Sequence, residues 1–221
     1  MKILIVEDER ELANSMLNYL QNEDYFCEIA GDVDDARAQI NIFDYDCILL
    51  DIMLPYGSGL DLLAELKNAG KQDGVIIISA KDSVDDKIYS LKLGADDYLA
   101  KPFHLAELSA RIQSIIRRRN FSGSNIVTYK NLSIDMLSKV TKVDSTEIEL
   151  TKTELSILIF LLLNKNKVVS KNAIAENLSG QSALYFDNFD IIYTHIKNLK
   201  KKLGSAGDYI KTVYGTGYKL N

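Results

Sequence analysis

The chain has 221 residues, of which 47% are hydrophobic and only two are proline, and a net charge of −5. That length accommodates one large domain or two ordinary ones, and that composition excludes a disordered or collagen-like chain. No apolar run approaches the roughly 20 residues that span a bilayer. The opening run Met1–Val6 passes straight into acidic residues instead of forming a signal peptide, so a cytoplasmic location with no membrane partner is expected. The charge is unevenly placed. Residues 1–119 carry 13 Lys and Arg against 22 Asp and Glu, whereas residues 120–221 carry 13 against 9. Every arginine lies in the first part, ending in Arg117-Arg118-Arg119. A basic module tethered to an acidic one points to a polyanionic partner for the second part alone.

In chain order, Ile3–Val6 is the first continuous aliphatic run of the kind expected for a strand covered on both faces. Leu12, Met16, Leu17 and Leu20 then recur at helical spacing. Tyr25–Ala30 and Ile48–Leu50 are the second and third candidate strands. Leu60, Leu63 and Leu66 predict a helix, Val75–Ile78 a fourth strand, and Val84, Ile88 and Leu91 another helix. Asp97–Leu99 is the fifth strand. Leu105, Leu108, Ile112, Ile115 and Ile116 mark the last helix, which runs into the arginine triplet. Cys27 and Cys47 lie within such strand-like stretches and read as small buried hydrophobes, not a disulfide or half of a metal site. Five strand–helix repeats predict a doubly wound α/β domain with a parallel sheet over residues 1–119.

Residues 120–125 interrupt this pattern and read as a linker. In the second domain, residues 126–221, Ile126–Ile134 and Lys139–Leu150 read as short antiparallel strands. Helices are predicted at about 153–163, 171–178 and 187–203. Tyr209–Val213, a Gly215-Thr216-Gly217 turn and Tyr218–Leu220 close the chain as a hairpin. Three helices followed by a hairpin describe an α+β winged helix-turn-helix. Its last helix enters the major groove of DNA while the hairpin reaches the flanking backbone or minor groove.

In an open α/β sheet, ligands bind beyond the carboxyl ends of the strands. Glu7 and Asp8 follow the first strand, Asp51 the third, Ser79 the fourth, and Lys101 with Pro102 the fifth. Gathering Glu7, Asp8 and Asp51 in one crevice is unfavourable unless a cation neutralises them, and oxygen-only ligands suit Mg²⁺. A carboxylate beside such an ion is able to attack a phosphoryl donor and become an acyl phosphate. The Ser79 hydroxyl and the Lys101 ammonium are then placed to hold phosphoryl oxygens. Each group taken alone also reads as a solvated strand-end residue, and together they define a divalent-metal and phosphate site and no more.

The segments ILIVEDE, LLDIMLPYGSGLDLL, IIISAKD and GADDYLAKPFHLAEL closely resemble, in that order, the acidic pair, phosphoacceptor loop, hydroxyl strand and Lys-Pro segment of the receiver domains of two-component response regulators. The resemblance covers almost all of residues 1–119 and implies a flavodoxin-like (βα)5 fold. It implies that Asp51 accepts a phosphoryl group from a sensor histidine kinase, with Asp8 and Asp51 as direct Mg²⁺ ligands. Glu7 would act mainly through water, and the Met53 backbone carbonyl would complete the protein ligands. A cis bond before Pro102 is implied too. So is a switch in which Ser79 moves toward the phosphoryl group and Tyr98 turns into the vacated space. Without the resemblance, Tyr98 reads as a packed ring with its hydroxyl at the rim.

Lys87, Asp96, Asp97, Glu107, Arg111 and Arg118 match residues that pair across the symmetric receiver dimer of the OmpR/PhoB-like subgroup. The implied pairs are Lys87–Glu107, Asp97–Arg111 and Asp96–Arg118, with Ile88, Leu91 and Ala110 as apolar contacts of a homodimer formed on phosphorylation. Taken without that match, the same residues describe a salt-bridged helix surface. Ala100 stands where a hydroxyl is common.

LTKTELSILIFLLLNKNKVVSKNAI, HIKNLKKKLG and YIKTVYGTGYKL resemble the winged-helix effector of the same subgroup, which implies double-stranded promoter DNA and RNA polymerase as partners. Ile192, Ile196, Leu199 and Leu203 form the core stripe of the last helix. Thr194, His195, Asn198, Lys201 and Lys202 are its expected DNA-facing residues. Gly215, Thr216, Gly217 and Tyr218 are the expected wing, where glycine permits a positive-φ turn. Leu178 stands in place of a usual tryptophan, Tyr193 of an aspartate and Lys200 of an arginine. Lysine lacks the bidentate fork that arginine offers to guanine, so weaker or unusual sequence selectivity is expected. Ser179–Phe186 is the least conventional stretch. The expected function is a phosphorylation-dependent transcriptional regulator and not an enzyme. The alternatives are a DNA-binding regulator that needs no phosphorylation and, more distantly, a metal-dependent phosphohydrolase.

Overall fold

The structure, a computed structural model, describes residues 1–121, 123–178 and 189–221. They form two compact units, Met1–Arg119 and Asn120–Asn221. The first unit runs β1 (Lys2–Val6), α1 (Arg10–Asn22), β2 (Phe26–Ala30), α2 (Val33–Ile42) and β3 (Cys47–Asp51). A two-residue pair, β4 (Met53–Leu54) and β5 (Gly57–Ser58), precedes α3 (Gly59–Asn68). Then come β6 (Gly74–Ser79), α4 (Val84–Lys92), β7 (Asp97–Ala100) and α5 (Leu105–Asn120). The main sheet has the order β2-β1-β3-β6-β7 with all neighbours parallel. The doubly wound α/β expectation is met.

The inner strands β1, β3 and β6 are almost wholly apolar because helices cover both faces. Leu4, Val6, Ile48, Leu50, Val75 and Ile77 pack in one cluster with Val33, Ala36 and Ile40 of α2 and Leu62, Leu63 and Leu66 of α3. The alternating residues Ile3, Ile5, Leu49, Ile76 and Ile78 face the other way and are equally buried. Cys27 and Cys47 are free and buried, as expected, and burial pushes the Cys27 thiol up to about 12. Helix α2 carried no apolar repeat in the sequence reading. Its signal is short, Val33, Ala36 and Ile40 behind an Asp32 that caps the Asp35 N–H at 2.8 Å.

At the opposite end of the sheet from the strand carboxyl ends, three aspartates tie neighbouring strands together. Asp46 accepts the Lys2 N–H at 2.7 Å, Asp73 the Tyr45 N–H at 2.6 Å, and Asp96 the Val75 N–H at 2.9 Å. Each stands directly before a strand and satisfies a donor at or near the start of another, which pins register where the ladder begins. Arg119, in the last turn of α5, joins this edge by donating to Asp96 at 2.6 Å and to the Gln72 carbonyl at 3.1 Å.

The second unit differs from the sequence reading in strand count. Ile126–Ile134 is a hairpin of β8 (Ile126–Tyr129) and β9 (Leu132–Asp135), and Lys139–Leu150 one of β10 (Val140–Val143) and β11 (Thr146–Ile148). Asp144 and Ser145 both have positive φ, 49° and 68°, the two-residue turn that matches strand twist. Lys130 (φ 56°) lies in the other turn. Neither turn carries glycine, so the sequence conceals both. Helix α6 (Lys152–Leu163) starts from a reciprocal cap between Thr151 and Glu154, and is followed by β12 (Val168–Ser170) and α7 (Lys171–Leu178). Strand β12 was not anticipated. It is three residues long and exists through pairing with β14.

Helix α8 is described over Phe189–Leu203. Its expected start at residues 187–188, the Ser179–Phe186 stretch and linker residue Ser122 lie outside the described residues. Strands β13 (Ile210–Val213) and β14 (Gly217–Leu220) form the expected hairpin. Leu178 is buried with Ile157, Leu161, Ile196, Leu199 and Leu203 in the core of this unit, so an aliphatic residue fills that site.

Tyr56 stands between β4 and β5 with φ 63° and is 91% exposed. A bulky residue in that region is strained, and no burial of its ring offsets the cost. Tyr56→Gly should therefore stabilise the first unit by about 1 kcal/mol, read as a higher urea midpoint at unchanged slope. A fall in the midpoint would refute this account of the turn.

Candidate functional site

The parallel sheet brings Glu7, Asp8, Asp51, Ser79 and Lys101 to one end, each just at or beyond the carboxyl terminus of its strand. Glu7 and Asp51 are buried, and Asp8 is exposed. The three carboxylates offer oxygens that all lie within 4.8 Å of one another. Gly59 lets the following loop close over Asp51, because a Cβ there would come within 1.9 Å of the Asp51 carbonyl oxygen.

Lys101 is the internal counter-ion of this cluster. Its ammonium lies 2.8 and 3.0 Å from the two Glu7 oxygens and 2.6 Å from Asp51 Oδ2. Burial disfavours the charged amine, but hydrogen bonds to Asp51 and Glu7 outweigh it and hold its pKa above the ordinary value. Burial pushes the Glu7 carboxyl up against the pull of Lys101. Asp51 Oδ1 is fixed separately by the Met53 N–H at 2.9 Å. One ammonium among three acids leaves negative charge in excess, and an all-oxygen donor set fits a hard divalent cation. The sequence reading placed Lys101 against phosphoryl oxygens and missed this second partnership, because Glu7 and Lys101 are 94 residues apart.

Ser79 is fully buried, and its Oγ accepts the Lys81 N–H at 3.2 Å. Tyr98 is also buried, and its hydroxyl donates to the Lys81 carbonyl at 2.6 Å. Both side chains therefore meet at the backbone of Lys81, which no side-chain motif could reveal. Lys87 Nζ stands 6.0 Å from the centre of the Tyr98 ring. The Lys101–Pro102 bond is cis.

Several charged residues of α4, β7 and α5 are paired within the chain. Arg111 binds Asp97 at 2.8 Å and Glu107 at 2.7 Å, Lys87 binds Asp82, and Asp96 binds Arg119. Arg118, Ala110, Ile88 and Leu91 are exposed. Val84 and Tyr89, 69% and 56% exposed, extend the apolar part of this face beyond the residues picked out from the sequence.

In α8 the core stripe is as expected, with Ile192, Ile196, Leu199 and Leu203 buried. Thr194, Asn198 and Lys201 are exposed, and His195 is half-buried. The Thr194 hydroxyl donates to the Asp190 carbonyl at 2.8 Å. Lys202, expected to face DNA, is exposed and binds the buried Glu154 carboxylate at 2.8 Å, and Lys197 stands exposed one turn before Lys201. One expectation needs correction. Tyr218, expected at the surface of the wing, is buried on β14. Gly215 has the expected positive φ of 73°, but Gly217 is needed for a different reason. A Cβ at Gly217 would sit 1.9 Å from the Val169 carbonyl oxygen of β12. Thr216 is exposed, and its N–H donates to the Val213 carbonyl at 3.1 Å.

Comparison with known proteins agrees with both halves. Residues 3–113 match the family "Response regulator receiver domain", and residues 145–220 match "Transcriptional regulatory protein, C terminal". The transcriptional regulatory protein PmrA of Pectobacterium parmentieri is 36% identical over 220 residues, covering 100% of this chain and 97% of the relative. CiaR of Streptococcus pneumoniae is 35% identical, covering 99% and 97%. Among solved structures, the OmpR/PhoB homolog DrrB of Thermotoga maritima aligns over 100% of this chain and 98% of its own, with 25% identity and a TM-score of 0.50. The receiver domain of the Francisella response regulator 1452 covers 53% of this chain and 97% of its own, at 37% identity and a TM-score of 0.52.

The chain belongs to the two-component response regulators that join a receiver domain to an OmpR/PhoB-type DNA-binding domain. It is a phosphorylation-dependent transcriptional regulator, working between a kinase and promoter DNA, in a family that is not one of enzymes. Among the described residues no helix is long and apolar enough to cross a membrane.

The Lys202–Glu154 pair gives a pH signature. Burial opposes ionisation of Glu154, but hydrogen bonds from Lys202 and Thr151 outweigh it and hold the carboxyl below its ordinary value of 4.5. Its contribution is fully present above pH 4.5 and is lost as pH falls through the lower folded-state value. Lys202→Met should destabilise the second unit by about 1–3 kcal/mol at neutral pH. The difference from wild type should shrink below pH 4.5 in urea titrations followed by circular dichroism.

Proposed function

We propose that Asp51 is the phosphoacceptor and that its modification pairs two receivers through the α4–β7–α5 face, placing two DNA-binding units on one promoter. Residues 1–119 then form the phosphoacceptor and dimerisation domain, 120–125 the linker and 126–221 the DNA-binding domain. The observation that carries this reading is the state of Asp51. It is buried at the end of β3, with Oδ1 oriented by the Met53 N–H and Oδ2 held by Lys101, beside two further carboxylates. Asp8 and Asp51 would hold Mg²⁺, with Glu7 contributing through water and the Met53 carbonyl completing the protein ligands. The ion supplies neutralising charge for the incoming phosphoryl oxygens.

Asp51 Oδ2 attacks the phosphorus of a kinase phosphohistidine, and the P–N bond breaks with its electron pair returning to the imidazole. The product carries about −2 charge where one carboxylate stood. Lys101 already touches Oδ2, so it follows the new charge with little movement, and Ser79 turns its hydroxyl from the Lys81 N–H to a phosphoryl oxygen. Tyr98 moves further inward, into the space that Ser79 vacates. Arg111, Lys87 and Asp96 exchange partners within the chain for partners in the second receiver, namely Asp97, Glu107 and Arg118, around contacts of Ile88, Leu91 and Ala110. Such exposed pairs set register more than affinity. In the second unit Thr194, His195, Asn198 and Lys201, with the Gly215–Gly217 turn, face duplex DNA, and promoter action in the cytoplasm involves RNA polymerase.

One observation favours a second reading. Tyr98 is already inward with its hydroxyl engaged, which supports DNA binding that does not wait for phosphate. A single experiment separates the two. With acetyl phosphate and Mg²⁺ the full chain should gain one phosphoryl group on the peptide containing Asp51, and chelation or Asp51→Asn should abolish the gain. Mg²⁺ alone should raise the melting temperature, and Asp8→Asn should remove most of that rise. The phosphorylated protein should enrich particular duplexes from a randomised library more strongly than the unmodified protein. Equal enrichment by Asp51→Asn supports the second reading, and no mass gain at Asp51 rejects the first.

A further inference from the structure

The DNA-binding unit carries two large aromatic side chains that its own packing does not explain. Tyr193 on α8 is 58% exposed and Tyr214, in the turn between β13 and β14, is 94% exposed. Among the described residues of this unit they are the exposed aromatics, whereas Tyr209 is part-buried and hydrogen-bonded to Asn131 and Tyr218 lies in the core. Leaving such rings in water forgoes the gain of burying them.

Their placement connects them. Tyr193 neighbours Thr194 and precedes Lys197 by one turn, so it borders the exposed polar face opposite the Ile192–Leu203 stripe. Ile192 and Ile196 of the same helix share one buried cluster with Tyr218, so α8 and β14 build the same core. Tyr218 is registered against Thr212, two residues before Tyr214. The two tyrosines are therefore exposed on the two elements expected to meet DNA, one on the last helix and one at the hairpin tip.

The ionic means on that surface are limited. The unit has no arginine, and Lys202 is committed to Glu154. A tyrosine ring offers apolar contact to a thymine methyl group or a deoxyribose, and its hydroxyl offers a hydrogen bond, with no counterion released. We infer that Tyr193 and Tyr214 are DNA-contact residues that supply a non-ionic share of duplex binding, Tyr193 at base edges in the major groove and Tyr214 at the adjoining backbone. The inference rests on the DNA-binding reading above and names residues that determine its selectivity.

The test uses the phosphorylated full chain, a duplex that wild type enriches from a randomised library, and a mixed-sequence duplex, with Kd measured against NaCl concentration. Tyr193→Ala and Tyr214→Ala should each weaken binding to the enriched duplex roughly five- to tenfold at every salt. The slope of log affinity against log salt should stay unchanged for both. Lys197→Ala, an ionic control, should reduce that slope by about 0.9. Tyr193→Phe should keep most of the affinity. Tyr193→Ala should affect the mixed-sequence duplex little, so that the specificity ratio falls. Both positions are exposed, and circular dichroism verifies that the variants fold. Wild-type affinity in the alanine variants, or an altered salt slope, overturns the inference while leaving DNA binding intact. Absence of any enriched duplex or salt-dependent binding in wild type instead rejects the DNA-binding reading itself.

Discussion

Parallel strands that all end at the same side of a sheet impose one electrostatic problem on this protein. They deliver Glu7, Asp8 and Asp51 to a common crevice, where like charges in a partly buried setting repel. Lys101 answers it by spanning Glu7 and Asp51 with a single ammonium. That ammonium is positioned by β7, which pairs with β6 in parallel, so the site depends on the order of the whole sheet. The compensation is incomplete by charge count. An incomplete balance leaves the crevice net negative, which suits a divalent cation and, until one is present, disfavours an anionic phosphoryl group.

The crevice is linked to the surface by few atoms. Ser79 and Tyr98 converge on the two backbone groups of Lys81, one on the N–H and one on the carbonyl. Tyr98 also lies on the strand that presents Asp97 to Arg111. The far edge of the sheet has the opposite character. There Asp46, Asp73 and Asp96 hold strand starts and Arg119 locks the last turn of α5, so charge serves register and not exchange. The same residue type thus has two physical roles at the two ends of one sheet, decided by whether it caps the start of a neighbouring strand or shares a crevice with other carboxylates.

In the second unit the charges divide in a similar way. Lys202, exposed like Lys197 and Lys201, also closes on the buried Glu154 and helps hold α8 to the cap of α6. Gly217 is required by the approach of β12, and Gly215 by a positive φ. A motif of two glycines around one threonine therefore reports two separate constraints, one on packing and one on the turn.

Much of the architecture was readable without coordinates, because aliphatic runs such as Ile3–Val6 and Val75–Ile78 report double-sided burial and stripes such as Ile192–Leu203 report helical period. The chemistry of the first site was equally legible as residue types at strand ends. What escaped was whatever depends on pairing between distant segments. Strand β12 is too short to show a period, the hairpin turns at Lys130 and at Asp144-Ser145 lack glycine, and α2 has only a three-residue apolar signal. The sequence by itself determined the alternation of strands and helices, the acidic character of the crevice and the basic character of the last helix, since these are properties of local composition. Only the tertiary structure decided that Lys101 joins Glu7 to Asp51, that Lys202 pairs with Glu154 and that Tyr218 is buried while Tyr193 and Tyr214 are not. Those outcomes turn on which side chains meet across the fold, and local pattern does not encode a partner some 50 or 94 residues away.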